Sequence, residues 1–414
     1  MEKTRPWPQK RQKTQKTQKK EKTTTGTVIR YRAGVDLIFL MLVIIMVVLG
    51  TIMIASASYV NSLEYNEDSY FFIKKQLIML VLGLVAMIAM IYFADYIRLE
   101  KIAVWFFLGA VALNYFTAFF GVLKNGARRW FIIPVINVEV QPSEFMKLAV
   151  IMIFAWCISK KTDEMKKIKW GVLISVLITV VAIHPLYKQQ HLSGIIIVVI
   201  LCVAMIAIGG TPAWFLAIIG VFASLGIGAV IKYTDKIVEF LSNTSYAHAG
   251  KRLAAWKNPY IDPLGDGHQI IQSLYAIGSG GWTGLGLGQS KQKFLYLPEP
   301  QNDYIFAIIC EELGYIGAIL IIAAFCMLIW RGVWIAYRAP GKFASCLVLG
   351  ITIKVALQLI LNIAVVTNIL PATGITMPFF SYGGTALVIL MAEMGIILSV
   401  SRYSYEKPQQ KGSN

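Results

Sequence analysis

Charged side chains interrupt otherwise apolar sequence at a few places, and their types limit the chemistry available. Ionisable groups inside hydrocarbon are costly, and they mark a pair, a cavity or a pathway. Asp303 stands at the head of a long apolar block, in NDYIFAIICEELGYIG. A carboxylate at that boundary meets water and a lipid headgroup together, which suits a general base. Asp303, Ala307 and Glu311 recur at helical spacing, which predicts a shared face. On that face Glu311 lies about 12 Å deeper at the helical rise of 1.5 Å per residue. A carboxylate at that depth needs a cation. Lys354 is the candidate partner for Glu311, with Glu393 as a competing acid, and Glu312 joins this structural or proton-tuning set. Glu144 and Lys147 are three apart in QPSEFMKLAV and share a helix face. Such a pair either fixes helix packing or lines the wall of a site.

A second group of cations falls outside these blocks. Lys124, Arg128 and Arg129 sit beside Trp130 in KNGARRW, and Lys251 and Arg252 lie in a long polar stretch. Guanidinium groups grip phosphate oxygens bidentately, although Arg and Trp also anchor helix ends at headgroups. SGGWTGLGLG has glycine-loop spacing but follows no strand in a βαβ unit, so it is no nucleotide fingerprint. Its glycines permit close passage of backbone past helices or ligand. The five cysteines (157, 202, 310, 326 and 346) all lie in apolar blocks without CxxC spacing, and the four histidines (184, 191, 248 and 268) lack ligand spacing. No resident metal is assigned. GxSxG, Walker and HExxH motifs are absent, which removes soluble-type hydrolases and ATPases.

Apolar blocks near 37–58, 77–93, 102–122, 143–159, 170–187, 193–209, 213–231, 304–330, 344–366 and 386–401 must position these groups. Of the 414 residues 57% are apolar and 15% charged, with mean hydropathy +0.63. A soluble domain has about a quarter of its residues charged, so this is an all-α polytopic membrane protein with about ten spans. The net charge of +17 is concentrated, because residues 1–32 hold eleven basic residues against Glu2 and Glu21. The rest is only mildly basic, and nothing calls for nucleic acid. Residues 1–34 read as a disordered basic cytoplasmic tail and 403–414 as a second cytoplasmic tail, around a membrane domain over 35–402. The first apolar block starts too late and runs too long for a cleavable signal peptide.

Basic residues at 160–169, at Arg331, Arg338 and Lys342, and at Lys407 and Lys411 all fall inside if both termini are cytoplasmic and the spans number ten. Residues 123–142, 232–303 and 367–385 then lie outside. The stretch 232–303, between spans seven and eight, is a large outer loop, too long for a simple connection.

NGARRW, QPSEFMKLA, DPLGDGHQIIQSLYAIGSGG, GLGLGQSKQKFLYLPEPQNDYIFAIICEELGYIG and PATGITMPFFSYGGT, in that order, resemble the SEDS family (shape, elongation, division and sporulation), closer to its FtsW/SpoVE branch than to RodA. The resemblance spans about 35–402. It implies a peptidoglycan glycosyltransferase that polymerises lipid II on the outer face of the bacterial cytoplasmic membrane, in cell division or sporulation. It also implies a class B penicillin-binding protein as partner, beside membrane lipids and other division or sporulation proteins. The family's essential aspartate matches Asp303, and its fourth-span acid and base match Glu144 and Lys147. Arg128, Arg129, Lys251, Arg252, Gln272, Ser273 and Ser381 form the substrate-binding set. Glu144, Lys147, Glu311 and Lys354 form the structural or site-lining charges. A divalent cation, Mg or Mn, could assist, but one aspartate without a second acid is a poor tight site. The chain departs from the family at 189–194, where QPDLG becomes Gln190-His191-Leu192-Ser193-Gly194, and SYGGSS becomes SYGGTA. A lipid II flippase and a non-enzymatic scaffold are the rival readings. Polarity concentrated on the outer side and the lack of an internal repeat favour surface chemistry over alternating access.

Overall fold

The computed structural model describes residues 28–31, 34–124, 126–133, 138–242, 247–265 and 267–406. Most of the expected N-terminal tail, the end of the C-terminal tail and the His248 side chain lie outside the described residues. Hydrocarbon cannot satisfy backbone hydrogen bonds, so each apolar block closes them internally as helix. A short strand β1 (Val28–Tyr31) precedes α1 (Leu37–Asn66), α2 (Phe71–Phe93) and α3 (Tyr96–Phe120). Strands β2 (Val122–Lys124), β3 (Ala127–Ile133) and β4 (Val138–Val140) lead into α4 (Pro142–Lys160). Then come α5 (Ser175–Lys188), entered through a π-helical turn at Ile168–Ile174, α6 (Leu192–Ile208) and α7 (Ala213–Lys232). The long connection holds α8 (Thr234–Ser242), α9 (Ala247–Lys257) and α10 (His268–Ser279). The chain closes with α11 (Ile305–Arg338), α12 (Gly341–Val366), α13 (Gly384–Ser401) and β5 (Tyr403–Glu406).

Among the described residues 9 helices are long and apolar enough to cross a membrane, and α6, with 17 residues, is a shorter tenth. These ten coincide with the ten apolar blocks of the sequence. Pro142 opens α4 at its first turn, where a missing N–H costs nothing. α4 is buried along most of its length and packs on α3, α6 and α12, whereas α7 has no buried residue. Strand β1 pairs antiparallel with β5, Val28 opposite Glu406. At the same end Arg331 donates to Asp36, 2.7 Å from its Oδ2, and the Asp36 N–H donates to Ser401 Oγ. Strands β1 and β5, the first and last described elements, therefore meet at one end of the bundle, which fits an even number of crossings.

At the opposite end α11 is broken. Gly314 adopts φ 68°, ψ −171°, and the glycine-rich stretch runs alongside the break. The N–H groups of Leu285 and Gly286 donate to the carbonyls of Glu311 and Glu312, and those of Tyr315 and Ile316 donate to Gly281 and Trp282. A Cβ on Gly284 would sit 2.1 Å from the Glu312 carbonyl oxygen. Glycine is required there because backbone meets backbone.

Candidate functional site

The rim opposite the chain ends is assembled from four elements. Residues 301–304 form a turn ahead of α11, so Asp303 is not on the helix and does not share a helical face with Ala307 and Glu311. Asn362 of α12 fixes this turn, its Nδ2 donating to the carbonyls of Asp303 and Ile375, both at 2.7 Å. The Tyr382 N–H donates to the Gln301 carbonyl at 2.8 Å. Opposite, Trp256 Nε1 of α9 donates to the Asn368 carbonyl, which lays α9 on the 367–374 segment and brings Arg252 Nη1 3.5 Å from the Ala372 carbonyl. Asp303 and Arg252 meet at Gly374: a Cβ built there would lie 3.6 Å from Asp303 Oδ2 and 4.0 Å from Arg252 Nη1. Burial pushes the Asp303 carboxyl up to about 6. Glu299 adds to this, while its own backbone hydrogen bond and Arg252 pull the other way. That value suits a base working near neutral pH.

The three-stranded sheet β2-β3-β4 sorts the two arginines of KNGARRW. Successive strand residues point to opposite faces. Arg128 is exposed and donates to the Phe119 carbonyl at the end of α3, which is an anchoring role. Arg129 turns inward, half-buried, and its Nη2 donates to the Gln190 carbonyl at 2.8 Å while its buried Nε has no partner among the described residues. Burial, and then the neighbouring Arg252 guanidinium, hold Arg129 below the usual arginine range. Next to it His191, 6% exposed, lies just before α6. Burial first, then the charges of Arg129 and Lys147, push its imidazole down to about 3, against the pull of Glu144. It is therefore neutral at physiological pH.

Beneath this rim runs a buried chain of alternating charge. Lys147 Nζ lies 2.6 Å from Glu144 Oε1, Lys354 Nζ lies 3.8 Å from Glu144 Oε2, and Lys354 Nζ lies 2.7 Å from both oxygens of Glu393. Two acids and two bases cancel, which is the condition for keeping charges out of water. A cavity lined by Glu144, Lys354, Gln358, Met377, Ser381 and Tyr382 connects this chain to the 376–383 segment.

The expected Glu311–Lys354 pair is not formed, because α12 presents Lys354 to α4 and α13. Glu311 instead accepts from Ser290 Oγ at 2.5 Å and from the Lys291 N–H at 3.0 Å. Glu312 takes Lys293 Nζ at 3.0 Å and Ser56 Oγ at 2.7 Å. Both acids thus clamp the glycine-rich stretch to α11 and α1.

Of the other expected substrate-binding residues, Ser273 is fully buried and donates to the Ile270 and Val366 carbonyls, a helix-to-helix tie. Ser381 accepts from the Met377 N–H at 2.7 Å and shapes the cavity wall. Gln272 is half-buried, 3.4 Å from His268 Nε2, and Lys251 is exposed beside Arg252 on α9. His191 and Asn362 enter the site unannounced by the motifs, whereas Gly374 lies within PATGITMPFFSYGGT. For His191 the one signal is the departure at 189–194. Among the described residues no three His, Cys, Asp or Glu side chains converge as a metal-ligand set, and no step below runs through a metal.

The architecture is that of a polytopic membrane protein carrying an acid and two guanidinium groups on one rim, above a compensated charge chain. The chain belongs to the FtsW/RodA/SpoVE family: the family model described as "Cell cycle protein" matches residues 36–406. It is 39% identical over 376 residues to "Stage V sporulation protein E" of Bacillus subtilis (strain 168), covering 89% of this chain and 97% of that protein. It is 35% identical over 370 residues to "Probable peptidoglycan glycosyltransferase FtsW" of Geobacter sp. (strain M18), with 89% and 97% covered. A solved chain from "Structural coordination of polymerization and crosslinking by a peptidoglycan synthase complex" superposes with TM-score 0.72 at 25% identity, covering 89% of this chain and 98% of that one. These similarities place the protein in the FtsW/SpoVE branch, as a multi-pass protein of the bacterial cytoplasmic membrane.

Proposed function

We propose that this protein polymerises lipid II into glycan strands on the outer face of the cytoplasmic membrane, in cell division or sporulation. Its chain ends lie on the cytoplasmic side. The observation that carries the reading is Asp303, raised to about 6 and facing Arg252 across Gly374 at the rim remote from the chain ends. Asp303 takes the proton from the 4-hydroxyl of the acceptor's GlcNAc. That oxygen bonds to C1 of the donor's MurNAc as the bond from C1 to the diphosphate oxygen breaks. The transition state has oxocarbenium character, and one base with one displacement inverts C1. Arg252 and Arg129 meet the charge growing on the polyprenyl diphosphate, because bidentate guanidinium contacts suit phosphate. The Glu144–Lys147–Lys354–Glu393 chain holds the floor of the cavity in shape.

A class B penicillin-binding protein, a transpeptidase, is the proposed partner, and its docking on the outer segments would activate the polymerase. The test supplies purified lipid II to the purified protein, alone and with the candidate transpeptidase, and separates products by length. Long glycan supports the reading. Lipid II translocation without polymer would favour a flippase.

A further inference from the structure

Between Arg129 and the start of α6 the site gathers several hydrogen-bond donors that have no partner among the described residues. α6 is 17 residues long, and the N–H groups of Leu192, Ser193 and Gly194 in its first turn carry no hydrogen bond among the described residues. His191 occupies the N-cap position yet makes no capping hydrogen bond. Gln141 Nε2 lies 3.4 Å from His191 Nε2. An amide N–H can only donate, so Nε2 of the neutral ring accepts and the ring proton sits on Nδ1. That Nδ1 is buried without a partner, and it lies over the first turn: a Cβ on Gly194 would be 2.8 Å from it. Arg129 adds the buried, unpartnered Nε described above, and its Nη2 is anchored on Gln190, the residue before His191. Among the described residues the one carboxylate whose charge reaches His191 is Glu144, and it is already held by Lys147 and Lys354.

We propose that His191, Arg129 and the first-turn amides of α6 form an oxyanion subsite that holds a phosphate of a lipid-linked diphosphate. Helix N-termini favour phosphate through their unpaired N–H groups and dipole. Here His191 Nδ1 lies over the first turn of α6, and Arg129 is anchored on Gln190, two residues before the helix. The charge of Arg129 reaches both His191 and Arg252, so the reacting sugar would sit toward Asp303 and the distal phosphate toward α6. Naming the diphosphate rests on the polymerase reading, while the anion subsite rests on geometry alone.

The test measures binding of undecaprenyl diphosphate, undecaprenol and inorganic pyrophosphate to the full-length protein in nanodiscs, with and without phosphatidylglycerol. The variants are His191→Asp and His191→Asn, with thermal unfolding followed alongside. His191→Asp places a carboxylate among the donors and is expected to weaken undecaprenyl diphosphate about tenfold or more while leaving undecaprenol unchanged. His191→Asn keeps an N–H donor and stays within about threefold of wild type. Diphosphate affinity unaltered by His191→Asp, or lost equally for undecaprenol, overturns the subsite. Equal displacement by phosphatidylglycerol overturns the assignment to a lipid-linked diphosphate in favour of a general headgroup site. The expected binding pattern in a protein that makes no glycan sustains the subsite and sinks the polymerase reading instead.

Discussion

Asp303 and Arg252 face each other across Gly374, where a Cβ would touch Asp303 Oδ2 at 3.6 Å and reach Arg252 Nη1 at 4.0 Å. Neither residue is near the other in sequence, and each is placed by its own clamp, Asn362 for Asp303 and Trp256 for α9. The pair sets how the activity answers pH. Only ionised Asp303 accepts a proton, so kcat/KM should fall about tenfold per unit as pH drops below about 6. Arg252 opposes the upward push of burial. Arg252→Ala should therefore move the acid limb to higher pH and raise KM for lipid II. A pH–rate series on wild type and Arg252→Ala checks both effects, and an unmoved limb would separate Arg252 from the base.

Replacing Asp303 should affect stability in the opposite direction to activity. Burial raises the Asp303 carboxyl, so its ionised form is disfavoured in the folded protein, and this cost is present above about pH 6 and disappears as the group protonates. Asp303→Asn removes that cost. Its unfolding temperature at pH 7.5 should match or exceed that of wild type, whereas at pH 4 the difference should vanish. A marked loss of stability at pH 7.5 would show that the carboxylate holds the turn together.

Lys354 is the shared cation of Glu144 and Glu393. Lys354→Met leaves the buried Glu393 uncompensated, while Glu144 keeps Lys147, and removing one partner of a buried pair costs about 3–5 kcal/mol. Lys354→Met with Glu393→Leu should regain much of that loss, because the pair leaves together. Denaturation of both variants in the same detergent tests the coupling, and additive losses would contradict it.

How far the sequence reaches is seen in these charges. The i,i+3 pair Glu144–Lys147 was legible because one helix fixes its geometry, and it closes at 2.6 Å. The ten apolar helices were legible because bilayer thickness sets the length of such blocks. The partner of Lys354 was not, since it depends on which helices pack against α12. Arg128 and Arg129 looked equivalent until β3 alternated them, one to the surface and one inward. The small sheet is hard to read from sequence because its strands are short and lie between long apolar blocks, with Gly126 (φ 76°) at the turn from β2 to β3. His191 could be flagged as a departure but not given a role, because that needs Gln141 and Gly194 beside it.

Gly314 offers a test of the glycine-rich clamp. Its φ of 68° and a would-be Cβ 2.2 Å from the Gly284 nitrogen leave no room for a side chain. Gly314→Ala should destabilise the protein strongly, by on the order of 2 kcal/mol or more, and disturb the path from the glycine-rich stretch to Asp303. Lys293→Met, which strips the cation from Glu312, should act in the same direction. Protease sensitivity of the 281–303 segment, compared across the two variants and wild type, reads this out.

The most direct measurement is glycan synthesis from purified lipid II by wild type and Asp303→Asn side by side, each with the candidate transpeptidase and each shown to be folded. Loss of a positioned base costs about 10²–10⁴-fold, so long glycan from wild type and at most a trace from Asp303→Asn is the expected result. Glycan made by Asp303→Asn at the wild-type rate would remove Asp303 from the chemistry and contradict the account.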